Sequence, residues 1–321
     1  MDNLYRPRRT CLSVPGSSDK MIQKAKSLGA DLVFLDLEDA VAADAKAAAR
    51  TRVAAALAEP GWSGQLRGVR VNDWTTPWTH ADVIEVVTEV ARAGSVLDIV
   101  VLPKVTDASH VRALDLLLTQ LELTHGLPVG RIGIEAQIEN AAGLTHVNEI
   151  AAAPRVQALV LGPADMMASL NMRTLVVGEQ PEGYDVGDAH HHVLMTILVA
   201  ARTHGINAID GPYLKVRDTE AFRRIAGRVA ALGYDGKWVL HPDQIAAGNE
   251  VFSPRQDDYD HAELILEAYD WHTSQAGGAR GAVMLGDEMI DEASRKMALV
   301  IAGKGRAAGM ARAGAPFQPP N

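Results

Sequence analysis

Two carboxylates stand at matching points of this sequence, each directly after an apolar stretch. Glu139 follows IEAQI and Asp165 follows LVLGPA. Carboxylate oxygens are ligands that Mg²⁺ takes in proteins, with water and substrate filling its remaining positions. Either residue alone could instead cap the helix that follows it. For the pair at the ends of consecutive strands, the sequence favours a metal site.

Other polar residues also close apolar stretches: Asp36, Glu38, Asp39, Arg70, Asn72, Lys104 and His241. The planar fork of donors on Arg70 suits a substrate carboxylate or carbonyl oxygen, and it also suits an ion pair with the acidic cluster at 36–39; the two roles are compatible. The acidic cluster is expected to fix metal-bound waters and Arg70. Lys104 has a competing interpretation as a Schiff-base nucleophile.

These residues must be positioned by a parallel sheet, because short apolar runs alternate with longer amphipathic ones over about residues 9–250. Eight such runs with intervening helices predict an α/β fold, a TIM (β/α)₈ barrel, whose active site lies at the carboxyl ends of the strands. The predicted strands are Thr10–Val14, Leu32–Asp36, Gly68–Val71, Ile99–Leu102, Ile132–Ile138, Ala158–Leu161, Ala208–Asp210 and Trp238–His241.

The chain is expected to divide into a catalytic barrel, residues 1–252, and a C-terminal helical lid extension, residues 253–321. The extension is too short for a large core of its own, so it is expected to pack on the barrel or on a neighbouring subunit, or to act as a lid.

Composition narrows the class of protein. The 321 residues are 47% hydrophobic and 22% charged, with a net charge of −9 and one cysteine, Cys11. The negative charge argues against nucleic-acid binding, and no targeting or membrane-spanning segment is evident, so we expect a cytoplasmic protein with no membrane partner. A basic patch near the start could still receive a small anionic ligand; it comprises Arg6, Arg8, Arg9, Lys20, Lys24 and Lys26.

Taken together and in order, the motifs resemble the citrate lyase β-subunit-like branch of the HpcH/HpaI aldolase family, especially its malyl-CoA lyases. The segments that carry the resemblance are RRTCLSVPGSSDKMIQKA, GADLVFLDLEDAV, KAAAR, VRVN, VLPKV, IEAQIENAAGL, LGPADMMAS, GINAIDGPY, GKWVLHPDQI, VFSP and GAVMLGDEMID.

The resemblance implies a homotrimer or homohexamer that binds Mg²⁺ or Mn²⁺ and acts on a CoA thioester. It implies Glu139 and Asp165 as metal ligands, and Arg70, Glu139, Ala164 and Asp165 around the substrate. Arg70 and Asp291 are implied as catalytic residues, and the lid is implied to bring Asp291 to an adjacent subunit. The implied CoA contacts are Arg9, Val14, Pro15, Lys20, Lys24, Leu240 and His241.

The reaction so implied is reversible cleavage of a 3-hydroxyacyl-CoA, with malyl-CoA giving acetyl-CoA and glyoxylate as the leading case and β-methylmalyl-CoA giving propionyl-CoA and glyoxylate as the next. The alternatives are a citramalyl-CoA lyase, a malyl-CoA thioesterase or malate synthase-like enzyme, a class II aldolase acting without CoA, and a citrate lyase β-like subunit that needs a partner. One methyl group changes binding by only about 1–3 kcal/mol, so sequence does not separate the acyl groups.

Overall fold

The structure is a computed structural model that describes residues 6–319. The chain folds as two compact units: the larger is Arg8–Phe252, and the smaller contains Arg6, Pro7 and the chain from Ser253 onward. Within the described residues, no helix is both long enough and apolar enough to cross a bilayer.

The larger unit is a closed barrel of eight parallel strands in sequential order, which confirms the predicted TIM barrel. Each strand pairs with its neighbours in the chain, and the last closes against the first. The strands are β1 (Thr10–Pro15), β2 (Leu32–Asp36), β3 (Leu66–Arg70), β4 (Ile99–Leu102), β5 (Gly133–Ile138), β6 (Val156–Leu161), β7 (Asn207–Asp210) and β8 (Gly236–Val239).

Helices cover the outside of this barrel and bury the outward-facing strand residues. They are α1 (Asp19–Ala25), α2 (Lys46–Ala58), α3 (Thr79–Arg92), α4 (Ala108–Thr124), α5 (Ala141–Thr145), α6 (Val147–Ala151), α7 (Pro163–Ser169), α8 (His191–Thr203), α9 (Thr219–Leu232) and α10 (Asp243–Val251), with a short 3₁₀ helix at Ala43–Ala45. A second, smaller cluster of apolar side chains fills the barrel interior, among them Cys11, Phe34, Val101, Val160 and Trp238.

The closing strand begins earlier than the predicted Trp238–His241. Gly236 and Lys237 do not look like strand residues, yet the backbone N–H of Lys237 donates to the carbonyl of Arg9 at 3.1 Å. Gly236 passes so near Arg8 that any side chain at 236 would overlap the Arg8 carbonyl. Close backbone approach thus explains the glycine and completes the barrel.

The smaller unit consists of α11 (Gln256–Thr273), a hairpin of β9 (Val283–Leu285) and β10 (Glu288–Ile290), and α12 (Glu292–Ala307). It has its own small core, which includes Tyr259, Ile265, Leu266, Ile290 and Ala298. Ionic contacts between α12 and α11 add to it, as between Arg306 and Glu263.

A buried ion pair inside the barrel provides a test of this packing. Arg8 Nε donates to Glu135 Oε1 at 2.8 Å, and the two side chains are only 1% and 2% exposed. Glu135→Gln removes the carboxylate charge that faces the buried guanidinium, so the free energy of unfolding should fall by about 3–5 kcal/mol in urea denaturation. Glu179→Gln, at the exposed ion pair with Lys215, is the control and should leave stability nearly unchanged. Equal effects would contradict this account of the buried pair.

Candidate active site

The carboxyl ends of five consecutive strands bring together the charged residues that the sequence singled out. Asp36 ends β2, Arg70 ends β3, Lys104 follows β4, Glu139 follows β5, and Asp165 lies in the first turn of α7 after β6. Parallel strands in a barrel end on the same face, so residues distant in sequence meet there.

Arg70 is held on three sides. Its Nε and Nη2 donate to the two carboxylate oxygens of Asp36 at 2.8 and 2.6 Å, and its Nη1 lies 2.7 Å from Glu38 Oε2. The guanidinium carbon lies 4.9 Å from the ring centre of Trp238, which forms a floor beneath it. Burial lowers the pKa of Arg70, but the charge of Asp36 and Glu38 outweighs burial and raises that pKa above its usual value. The expected ion pair with the acidic cluster is therefore present, and it fixes the guanidinium in one orientation.

Glu38 links this arginine to Lys104. One of its oxygens accepts from the Lys104 ammonium while the other faces Arg70. Its loop is pinned from behind by Lys46, whose ammonium donates to the carbonyls of Leu37 and Glu38 at 2.8 and 2.7 Å. Burial raises the pKa of Glu38 even though both cations oppose that shift. Asp39 has an exposed side chain and lies 3.6 Å from Arg70 Nη1.

Glu139 is a carboxylate enclosed by the protein, with only 2% of the residue exposed. Its Oε1 accepts from the backbone N–H of Lys104 at 2.6 Å, and its Oε2 accepts from Gln137 Nε2 at 2.8 Å. A side chain at Gly162 would overlap the Glu139 carboxylate, so glycine is needed there. Burial and, after it, the nearby charges of Glu38 and Asp165 raise the pKa of Glu139 to about 8.

Lys104 adopts a left-handed backbone conformation, with φ of 51°, that is unusual outside glycine. The same residue turns its N–H toward Glu139 and its ammonium toward Glu38. Burial lowers the pKa of Lys104, but hydrogen bonding and charge from Glu38 raise it above its ordinary value. A Schiff-base lysine needs a neutral amine, so this environment disfavours the nucleophile interpretation of Lys104.

The donor chemistry at this face fits a hard divalent cation. The charge of Asp165 is one cause of the raised pKa of Glu139, after burial and the charge of Glu38, and a cation between carboxylates relieves such repulsion. Among residues 6–319 there is no cluster of three or more histidine, cysteine or acidic side chains with metal-binding geometry. Two oxygen ligands with the other positions left to water and substrate is a coordination suited to Mg²⁺ rather than to a structural zinc ion.

Most of the residues implied as CoA contacts flank this face. Val14 and Pro15 end β1, and Lys20 and Lys24 are exposed on α1. Leu240 and His241 follow β8, which pairs with β1 in the barrel, so both groups lie on adjacent strands. Ala164 is exposed beside Asp165 in the first turn of α7.

One implied site residue, Arg9, is not brought to this face, and another, Asp291, belongs to the smaller unit. Arg9 precedes β1, at the amino end of the barrel, and its Nε and Nη2 bind the two carboxylate oxygens of Asp31 at 2.8 and 2.7 Å. The length of β1 separates it from the carboxyl ends, so we leave Arg9 out of the thioester site proposed below. Asp291 lies in the smaller unit, where it caps α12 and accepts from the N–H groups of Ala293 and Ser294.

A family model described as HpcH/HpaI aldolase/citrate lyase matches residues 9–242, which includes all eight strands. The chain belongs to this family. The L-malyl-CoA/β-methylmalyl-CoA lyase of Cereibacter sphaeroides ATCC 17029 is 40% identical to it, over 92% of this chain and 94% of the relative. The family and this relative identify the protein as a carbon–carbon lyase.

Other similar proteins include the (3S)-malyl-CoA thioesterase of Cereibacter sphaeroides ATCC 17025, which is 33% identical over 84% of this chain and 86% of that protein. Among solved structures, CitE of Mycobacterium tuberculosis in complex with magnesium, acetoacetate and coenzyme A has a TM-score of 0.69 and 27% identity, covering 94% of this chain and 98% of CitE. A citrate lyase from Burkholderia xenovorans LB400 has a TM-score of 0.80 and 21% identity, covering 97% and 95%, and shows the same fold.

Sequence reasoning missed three supporting residues of this family member: Gln137, Trp238 and Lys46. Gln137 lies two positions before Glu139, and alternation along a strand puts both side chains on one face, so a signal existed. The KAAAR segment that contains Lys46 was part of the resemblance. Nothing in that segment indicates that the Lys46 ammonium binds the carbonyls of Leu37 and Glu38, nine and eight residues earlier. The contact of Trp238 with Arg70 joins β8 to β3, so the sequence around either residue does not indicate it.

The raised pKa of Glu139 predicts a pH-dependent stability for the metal-free protein. The folded state keeps the Glu139 proton until about pH 8, whereas the unfolded chain loses it near its ordinary pKa of 4.5, so stability falls as pH rises between these values and then levels off. In EDTA, the melting temperature of the wild type should therefore fall relative to that of Glu139→Gln from pH 5 to pH 8. If the melting temperatures of the two proteins changed equally with pH, the raised pKa of Glu139 would be contradicted.

Proposed function

We propose that this lyase catalyses the Mg²⁺-dependent, reversible cleavage of a 3-hydroxyacyl-CoA, foremost (S)-malyl-CoA to acetyl-CoA and glyoxylate, and also β-methylmalyl-CoA to propionyl-CoA and glyoxylate. The buried Glu139 carboxylate beside Asp165 and the fixed Arg70 is the observation that carries the proposal. The 40% identical malyl-CoA lyase and the magnesium and coenzyme A complex of CitE support the substrate class and the metal.

Glu139 and Asp165 are proposed to hold Mg²⁺, or Mn²⁺ in its place. When bound, the cation supplies a Lewis acid that polarises the hydroxyl and carboxylate oxygens of the substrate. Glu139 contributes an oxygen already oriented by Gln137 and Lys104, whereas Asp165 contributes from an exposed helix turn.

Arg70 is proposed to offset negative charge on the substrate oxygen that becomes the aldehyde. Because Asp36, Glu38 and Trp238 already fix the guanidinium, little reorganisation is needed as charge develops on that oxygen. Asp36, Glu38 and Asp39 thereby act on the reaction through Arg70 and through Lys104.

The CoA portion is proposed to bind along the adjacent ends of β1 and β8. Pro15 and Leu240 offer partly exposed apolar surface, and the exposed ammonium groups of Lys20 and Lys24 suit the phosphates of CoA. The side chain of Val14 is buried, so its proposed contact is made by the backbone at the end of β1. His241 and Ala164 complete the proposed contacts with the thioester and acyl portions.

Asp291 is proposed as the general acid and base that adds a proton to the enolate carbon of acetyl-CoA, or removes it in the condensation direction. We propose that residues 253–321 act as a lid on a neighbouring subunit of a homotrimer or homohexamer. Closing it would exclude water and deliver Asp291. Hydrogen bonds from the backbone of Ser294 and Ala293 lower the pKa of Asp291, so the side chain is ionised at neutral pH, the form that removes a proton in the condensation direction.

The 33% identical malyl-CoA thioesterase supports a second candidate function on the same site, hydrolysis that releases free CoA. Citramalyl-CoA is a third acyl group to test. A citrate lyase β-like subunit that needs a partner would show no activity by itself with any of these thioesters.

The assay that tests the proposal uses purified protein, Mg²⁺ and malyl-CoA, with citramalyl-CoA in parallel, phenylhydrazine to trap glyoxylate or pyruvate, and a thiol reagent to follow free CoA. Glyoxylate without free thiol, abolished by EDTA, is the expected result. Asp165→Asn should remove nearly all turnover, while the matched control Asp107→Asn, at the cap of α4, should keep it. Free thiol without aldehyde would establish the thioesterase instead.

Asp291→Asn separates chemistry from structure, because asparagine caps a helix about as well as aspartate. The variant should keep its melting temperature and its affinity for CoA while losing most turnover with malyl-CoA. Asp291→Ala should lose turnover as well and melt at a lower temperature because the cap is gone. An Asp291→Asn variant with normal turnover would remove Asp291 from the mechanism.

A further inference from the structure

Gln137 lies inside the barrel on β5, two residues before Glu139, and is 2% exposed. Its Nε2 donates to Glu139 Oε2 at 2.8 Å. Within residues 6–319 its other polar atom, Oε1, is buried and has no hydrogen-bond partner. The amide therefore makes only part of its hydrogen bonds, and the bond that it does make goes to a proposed metal ligand.

The orientation of this amide follows from chemistry. A carboxylate that binds a cation is ionised and only accepts hydrogen bonds, so in the metal-bound protein the NH₂ end of Gln137 must face Glu139. The Lys104 N–H occupies one side of the other Glu139 oxygen at 2.6 Å. Each carboxylate oxygen thus has one fixed donor and keeps lone pairs for a further partner, and rotation of the Glu139 carboxylate is prevented.

We propose that Gln137 is a positioning residue that orients the Glu139 carboxylate for a divalent cation. The inference rests on the proposed function, because it takes Glu139 to be a metal ligand. Groups that hydrogen-bond to metal ligands fix their orientation, and their loss typically weakens metal affinity by about 10–100-fold.

Packing alone does not require a glutamine at this position. A buried amide oxygen without a hydrogen-bond partner is unfavourable, and an apolar side chain of similar length would fill the same space without it. Methionine adapts well to such interior positions. The donor to Glu139 is what glutamine provides and methionine does not.

The test is isothermal titration of Mg²⁺ alone, and of Mg²⁺ with glyoxylate present, into wild type, Gln137→Met and the control Gln65→Met. Gln65 is a matched control because it too is buried, donates through Nε2 to the carbonyls of Ala25 and Lys26, and has an Oε1 without a partner in the described chain. Gln137→Met should bind Mg²⁺ about 10–100-fold more weakly than wild type, and Gln65→Met should match wild type. Melting temperatures in EDTA should be similar for Gln137→Met and wild type.

The outcomes separate this inference from the function it rests on. Wild-type affinity in Gln137→Met would overturn the positioning role and leave the metal site intact. No Mg²⁺ binding by the wild type would overturn the metal site and this inference with it. Failure of both Gln137→Met and Gln137→Leu to fold would assign Gln137 a structural role and overturn the proposal.

Discussion

Glu139 is a carboxylate placed where water cannot solvate it, with two more acids nearby. Leaving a buried carboxylate without a counter-ion is costly, and the protein keeps it neutral by raising its pKa to about 8. Several local features accommodate this arrangement: the glycine at 162, the left-handed backbone of Lys104, and the amide of Gln137, which has only one of its two polar atoms paired. Such concentrated strain is typical of functional sites, where a ligand relieves it.

The buried charge of Arg70 is compensated by the protein itself, in contrast to that of Glu139. Arg70 is buried, but each of its three guanidinium nitrogens has an acidic partner on Asp36 or Glu38, and its face packs on Trp238. Burial is tolerated because charge and hydrogen bonds compensate it. A rigid cation beside two carboxyl groups without a counter-ion between them is an arrangement suited to stabilising charge that develops on an oxygen, and it matches a family of carbon–carbon lyases.

Much of this was predictable from residue order alone. The eight strands, their sequence and the barrel followed from alternating apolar runs, and Glu139, Asp165 and Arg70 stood out because each closes a strand. The predicted start of the closing strand was wrong, because backbone contacts at Gly236 and Lys237 form a strand that their residue types do not indicate. The floor beneath Arg70 could not be foreseen, since Trp238 is distant in sequence and meets the arginine only when the barrel closes. For Asp291 the residue type alone does not indicate catalysis, because an aspartate at this position is already explained by its role as the cap of α12.

The most direct test of the metal site is anomalous diffraction from crystals soaked in Mn²⁺, which stands in for Mg²⁺. The account predicts one strong peak within coordination distance of both Glu139 and Asp165, about 2.0–2.3 Å from a carboxylate oxygen of each, with the Gln137 and Lys104 hydrogen bonds to Glu139 preserved. A peak elsewhere on the barrel, or none beside Glu139, would contradict the assignment of these two carboxylates as the metal ligands.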